Sequence, residues 1–437
     1  MRRTTKTLAA LTGAAALAAT VITPAWAAVT ASRTTSEGAA VAFTAASGKT
    51  IVDWNQELLT IQKTPGAQPA TVHPTRNLAI LHAAMYDAVA SITQRDRPYL
   101  FDIDASRTAR PDAAADQAAH DTLVALYPSM QATLDQKLAD ELATVPTGPD
   151  TQEGVRVGHL AATLMLAARA DDGSAATPPP LALPPPSPGA YQLTPPNQPA
   201  PVFTNWGSIT PFVMDTGEQF RPLQAPDLTS LSWAQAITEV QKLGQDTSTA
   251  RTPEQTTTAK FWAPPIWTTW NEIADSQVLG RRTSLEKAAK MFASLNLTIA
   301  DTTIALYDAK YNFLFWRPIT AIRAGTPGNA NVTADPTWNA LANTAPDPSY
   351  PGAHSSISAA AATVLSTYLS THASLTVTSD AMPGMTRQFD SFQAAATEAG
   401  LSRIYAGQHT RLDHDAGVTL GSDVAHLVLN RSMSPDF

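Results

Sequence analysis

The stretch Lys310-Tyr311-Asn312-Phe313-Leu314-Phe315-Trp316-Arg317-Pro318 sets two cations, six residues between them, inside an aromatic run. A run this apolar belongs in a protein interior, and a buried cation needs an anionic partner. Two later stretches share the character. Tyr350-Pro351-Gly352-Ala353-His354 is a loop leading into Ser355-Ser356-Ile357-Ser358-Ala359, and Ser402-Arg403 is followed after five residues by His409 and after three more by Asp413. Three cations, two histidines and a carboxylate describe a site for a tetrahedral oxyanion. Guanidinium and ammonium groups neutralise such an ion from several sides. One histidine can bond its central atom while the other moves protons.

Each cluster has an ordinary reading beside this one. Lys310 and Arg317 are seven apart, so they share a face if one helix carries both, with Pro318 ending or kinking it. Two solvated charges on a surface helix would show the same spacing, but not the aromatic neighbours. Gly352 and Ala353 can offer backbone amides to an anion at a helix start, with His354 at the rim. Alone, such a histidine is more often structural. His409 and Asp413 lie one turn apart, so the carboxylate can hold one ring nitrogen and leave the other aimed at the anion. A capping or salt-bridge pair, or two metal ligands, would look alike, although no third ligand stands at matching spacing. His82 reads as a satisfied core histidine.

The 437 residues include no cysteine, which excludes disulfides, thiolate catalysis and an iron–sulfur cluster. Arg2, Arg3 and Lys6 precede an apolar, Ala-rich stretch from Thr7 to Ile22, and Ala25-Trp26-Ala27 supplies a small-x-small cleavage pattern. The segment 1–27 is therefore expected to be a signal peptide cut after Ala27, leaving a secreted, extracellular protein. Arg2-Arg3 hints at twin-arginine export, but Thr4, Thr5 and Lys6 follow, so the general secretory route is preferred. The segment carries three positive and no negative charges, so its loss takes the formal charge from −8 to −11. That balance argues against nucleic-acid binding, and no later stretch is apolar enough for stable membrane insertion.

Apolar spacing predicts a mostly helical chain. Helices are expected over about 77–92, 113–143, 152–171, 229–243, 253–262, 285–315, 355–370, 386–399 and 413–431. Residues 28–50 read as a disordered lead-in, 51–177 as an N-terminal helical bundle, and 226–437 as a C-terminal catalytic bundle. Between them, 178–225 contains Pro178-Pro179-Pro180, Pro184-Pro185-Pro186 and Pro195-Pro196. It must be extended, either as a linker or as a loop wrapping the site entrance.

The three clusters resemble the shared signature of the vanadium-dependent haloperoxidases and the type 2 phosphatidic acid phosphatases: Lys-x6-Arg-Pro, Pro-Ser-Gly-His and Ser-Arg-x5-His-x3-Asp. Leu81-His82-Ala83-Ala84-Met85-Tyr86-Asp87-Ala88, Thr252-Pro253-Glu254-Gln255-Thr256 and Asp308-Ala309-Lys310-Tyr311-Asn312-Phe313 resemble the secreted bacterial haloperoxidase branch. The resemblance covers residues 50–430 or so. It implies an all-α fold of two packed helical bundles, with the oxyanion site in the C-terminal one. It further implies a vanadate cofactor, in a site phosphate can also fill. Lys310, Arg317 and Arg403 would bind its equatorial oxygens, with Ser402 beside them and backbone amides from Gly352 and Ala353. His409 would be the axial ligand to vanadium, His354 the acid–base residue, and Asp413 the group orienting His409. Hydrogen peroxide, a halide and a small organic acceptor would be the partners, and the metal ion would activate the peroxide.

The chain departs from that signature where Gly352 and Ala353 replace serine and glycine, losing one hydroxyl hydrogen bond to the oxyanion, a cost of roughly 1–2 kcal/mol. Tyr307 and Asp347 occupy positions that line the halide pocket in chloride-oxidising members. A carboxylate there would repel halide, so bromide is expected over chloride. The nearest rival is a secreted acid phosphatase acting on phosphate esters, with His409 as nucleophile and His354 as general acid. A non-catalytic oxyanion-binding protein is the third reading.

Overall fold

Residues 47–178 and 180–431 are described by the computed structural model. The expected signal segment and the residues up to 46 lie outside them. Ser47 bridges to Ser284 and a helix begins at Lys49, just inside the end of the expected lead-in.

Among the described residues the helices are α1 (Lys49–Lys63), α2 (Pro74–Thr93), α3 (Pro111–Leu126), α4 (Gln131–Leu142), α5 (Pro149–Ala168), α6 (Leu231–Leu243), α7 (Pro253–Phe261), α8 (Ile266–Arg281), α9 (Leu285–Phe313), α10 (Pro318–Ala324), α11 (Ala353–Leu369), α12 (Phe392–Tyr405) and α13 (Arg411–Arg431). Among those residues the one paired sheet is a short antiparallel hairpin, β1 (Leu375–Thr378) with β2 (Thr386–Phe389).

Helix α9 organises the rest. It is buried along nearly its whole length, polar Asn296, Thr298, Asp301 and Thr302 included. Ala288, Ala289, Ala293, Ala300, Ala305 and Ala309 keep its surface thin, so neighbours approach closely from several directions. On one side α2 packs on it, in contact with α3 and α5; on the other lie α11 and α13, with α12 behind α11. Asp301 ties this core helix to the chain between α5 and α6 by accepting the amides of Phe212, Val213 and Met214 at 2.6–2.8 Å. A smaller apolar cluster of Trp233, Ile237, Phe315, Trp316, Ile319, Trp338, Tyr350 and Ile404 lies under the chain that leaves α9.

Several local expectations need correction. The helix expected over 113–143 is broken at Tyr127–Met130, where Pro128 cannot continue the ladder of α3. The helix expected over 386–399 starts at Phe392, because Thr386–Phe389 pairs with β1 and Ser391 caps α12 through the amide of Ala394. Helix α9 stops at Phe313, before Pro318, with Leu314 in the left-handed region (φ 44°, ψ 47°). Three helices fall outside the expected ones, among them the short α10 that follows Arg317. Helix α8 buries Thr268, Thr269, Asn271 and Asp275 among its apolar residues, which blurs the spacing. Helix α1 packs on it and was read as part of no element.

The proline-rich segment runs against the site-bearing chain. Tyr191 donates its amide to the Leu314 carbonyl (2.7 Å), Trp316 to that of Gly189 (2.9 Å), and Val202 to that of Pro346 (3.1 Å).

Candidate functional site

Lys310 reaches the site from the last turn of α9, fully buried. Because Leu314 turns the chain left-handed, the expected shared helix face is lost. Arg317 arrives instead on an extended segment as the N-cap of α10. The two cations still converge, on the loop of residues 345–352. Lys310 Nζ donates to the carbonyls of Pro348 and Ser349 and pairs with Asp347 Oδ2 at 3.2 Å. Arg317 donates through Nε to the Asp347 carbonyl (2.8 Å), through Nη1 to that of Gln408 (3.0 Å), and through Nη2 to Asp347 Oδ1.

Asp347 therefore sits among the cations rather than facing a halide pocket alone. Burial would raise its carboxyl, but Lys310 and then Arg317 hold it down at about 2. Burial pushes the Lys310 ammonium down to about 8 against the pull of Asp347. Both groups are charged at neutral pH.

Arg403, in the last turn of α12, is the third cation. Its Nε donates to Ser402 Oγ (3.0 Å) and its Nη2 to the Ala259 carbonyl (2.5 Å). Ser402 thus orients the guanidinium rather than the anion, and its own hydroxyl donates to the Ala399 carbonyl (2.6 Å). Arg403 is 7% exposed and pairs with no carboxylate among the described residues, and burial pushes it down to about 10. A buried cation in that state is stabilised by any anion that reaches it.

His409 lies in the turn between α12 and α13. Gly407 makes that turn at φ +77°, where a Cβ would stand 2.6 Å from the Gly244 carbonyl oxygen. His409 Nε2 lies 3.3 Å from Arg317 Nη1, and Nδ1 lies 3.5 Å from Asp413 Oδ2 and 3.4 Å from Ser349 Oγ. Guanidinium offers only donors, so Nε2 presents its lone pair and the ring proton belongs on Nδ1. Burial, then Arg317, pushes the imidazole down to about 4, so it is neutral near pH 7. Asp413 Oδ2 accepts from Ser349 Oγ (2.8 Å) and the Thr410 amide (2.7 Å). These bonds and His409 hold its carboxyl below the ordinary value despite complete burial.

His354 stands in the first turn of α11 with Nε2 2.9 Å from the Trp262 carbonyl oxygen. A carbonyl only accepts, so Nε2 carries the proton and Nδ1 is the basic atom. Burial, then Arg403, pushes it well below the usual imidazole range. The expected amide donor Gly352 is already engaged, giving its N–H to the Asp413 carbonyl at 2.9 Å. A Cβ at Gly352 would lie 3.2 Å from that same oxygen, so the glycine permits the close approach of α11 and α13. Ala353 opens α11, and its amide is one of the first-turn donors that no helical carbonyl can satisfy.

Sequence reasoning missed Ser349, which braces Asp413, and the Trp262 carbonyl, a backbone group with no sequence signature. It also missed the aromatic company of Tyr307. His73 lies 5.7 Å from the Tyr307 ring centroid and 4.6 Å from that of Trp267, and Phe203 lies 5.5 Å from Tyr307. Burial pushes His73 down to about 3, opposed by the charge of Asp347.

His354 feels the charges of both Arg403 and His409, and His409 touches Arg317, so three cations, two carboxylates and two neutral histidines form one cluster with an excess positive charge. An uncompensated Arg403 and an imidazole lone pair beside Arg317 fit a tetrahedral oxyanion bonded through its central atom. Among the described residues no cluster of three or more His, Asp or Glu side chains could hold a metal cation. Vanadate, being an anion held mainly by cations, needs no such cluster.

Residues 290–435 match the family model described as the VCPO second helical-bundle domain. No curated protein matches the chain. Among solved structures it is similar to a bacterial vanadium-dependent iodoperoxidase (TM-score 0.75, 24% identity, 89% of this chain and 98% of that one). It is also similar to a bacterial vanadium-dependent chloroperoxidase in its holo form (TM-score 0.63, 15% identity, 85% and 94% covered) and its apo form (0.60, 14%, 83% and 95%). The C-terminal third of the chain thus matches a VCPO second helical-bundle domain, and the chain shares the helical fold of these bacterial vanadium haloperoxidases.

Proposed function

We propose that this protein is an exported, vanadate-dependent haloperoxidase that oxidises halide with hydrogen peroxide, bromide in preference to chloride. The observation that carries the reading is the polarity of His409. Its Nε2 lone pair is turned to the cations and its Nδ1 to Asp413, the orientation that would let it bond an oxyanion's central atom. Lys310, Arg317 and Arg403 would hold the oxygens of vanadate, and the first-turn amide of Ala353 would add a neutral donor. Bound vanadate supplies the activation of peroxide.

The chain's own groups supply the proton handling. His354 keeps its proton on Nε2 against the Trp262 carbonyl, so Nδ1 is the atom that takes a proton. The charge of Arg403 disfavours the imidazolium. The preference for bromide rests on halide chemistry, chloride being the hardest of the three common halides to oxidise. Export rests on the N-terminal segment. No described helix is long and apolar enough to cross a membrane.

Titrating metal-free protein with orthovanadate, with peroxide and iodide, bromide or chloride in turn, tests the reading. Halide oxidation should rise with vanadate in the order iodide, bromide, chloride. Oxidation of chloride as readily as bromide would remove the assigned preference for bromide.

A further inference from the structure

The two oxygens of Asp347 are divided between two cations. Oδ1 takes Arg317 Nη2 and Oδ2 takes Lys310 Nζ, the latter at 3.2 Å. Two oxygens of a tetrahedral oxyanion would be held by the same two groups in the same way. We propose that Asp347 is an internal counter-anion of this pocket, which an incoming oxyanion must displace from Lys310 and Arg317, so that this one side chain sets the pocket's oxyanion affinity. The inference rests on the reading of the pocket as an oxyanion site.

Three features carry it. The carboxylate is 5% exposed, so its ion pairs are not screened away by water. The cations do not depend on it for their placement. Lys310 keeps the carbonyls of Pro348 and Ser349, and Arg317 keeps those of Asp347 itself and Gln408. A swing of the Asp347 side chain therefore leaves both donors in position for another anion. Lastly, the substitution of charge is incomplete, because Arg403 has no carboxylate partner among the described residues. A two-oxygen anion satisfies two of the three cations; an oxyanion with three or four oxygens can satisfy all of them.

The cost of displacement follows from ordinary electrostatics. An incoming anion trades existing buried ion pairs for new ones and gains outright only the contacts to Arg403, His409 and the helix start. Its net affinity is thus weaker than three unpaired cations would give. With a neutral side chain at 347 the exchange is no longer needed.

The test compares wild type, Asp347→Asn and Asp347→Glu as metal-free, phosphate-free proteins, measuring binding of orthovanadate and of inorganic phosphate by calorimetry and melting with and without phosphate. Asp347→Asn should bind both anions roughly tenfold tighter or more, and phosphate should raise its melting temperature further than that of wild type. Asp347→Glu, which keeps the charge, should not gain affinity. Equal or weaker binding by Asp347→Asn overturns the proposal. If Asp347→Asn folds only when phosphate is present, the proposal holds; if it folds in neither buffer, the carboxylate is structural and the proposal fails. Tight binding without halide oxidation at saturating vanadate would leave the inference standing and remove the haloperoxidase reading. Halide oxidation without tighter binding in Asp347→Asn would do the reverse.

Discussion

His409 and Asp413 face each other across 3.5 Å, Nδ1 to Oδ2, and that contact fixes which nitrogen of the ring points at the cations. Asp413 is itself braced by Ser349 and the Thr410 amide, so the imidazole is held from behind by a chain of groups that reaches α13. The other oxygen, Oδ1, is buried without a partner.

Asp413→Asn should therefore keep the fold and lose ligand control. An amide can present N–H where the carboxylate accepted, which turns the ring proton toward Nε2. Orthovanadate affinity should fall roughly 10–100-fold, while the melting temperature in anion-free buffer changes far less. Calorimetry beside a melting curve reads both, and undiminished affinity would show that Asp413 does not set the tautomer.

Arg403 makes the opposite kind of prediction. A buried guanidinium with no carboxylate partner burdens the anion-free protein, and an unbranched apolar side chain of similar length removes the charge. Arg403→Met should be at least as stable as wild type without anion, and should lose the stabilisation that phosphate or vanadate confers. Thermal melting across a phosphate series distinguishes this from a packing role, which would lower stability at every concentration.

The cation clusters were readable in the sequence because each combines charge with residues that belong indoors. Lys310 and Arg317 stand among Phe313, Phe315 and Trp316, and Arg403 next to Ser402 in an Ala-rich helix. Their convergence was readable, but its route was not. Seven-residue spacing suggested one helix face, and only the left-handed Leu314 shows that the chain turns before Arg317. The pairing of Asp347 with Lys310 and Arg317 was not legible, since loop residues have no periodicity to fix their direction. The hairpin at 375–389 escaped because strands this short carry too few residues to display alternation. The all-α character was legible from α2 and α9, whose apolar residues recur over many turns.

Away from the site, Asp275 gives a stability prediction of its own. It is 4% exposed, accepts from Asn55 Nδ2 at 2.9 Å, and burial raises its carboxyl to about 8. The folded protein therefore holds a proton that the unfolded chain releases above about 4, so this group's contribution to stability declines as pH rises from 4 to 8. Asp275→Asn keeps the acceptor for Asn55 and removes the ionisation. The variant should be more stable than wild type by roughly 1–3 kcal/mol at pH 8, and close to it at pH 4. Denaturant melts at the two pH values check the sign, and a variant less stable at pH 8 would mean that the carboxylate is paired when ionised.

The central claim is that the pocket of Lys310, Arg317, Arg403 and His409 serves vanadate as a catalytic cofactor. One metal-free batch, titrated with orthovanadate, tests it in two parallel assays: bromination of a diketone with peroxide and bromide, and hydrolysis of an aryl phosphate. The account predicts bromination that appears with vanadate and is suppressed by added phosphate. Hydrolysis that vanadate abolishes, with no bromination at any dose, would contradict it and make the same residues a phosphatase site, with His409 as the nucleophile.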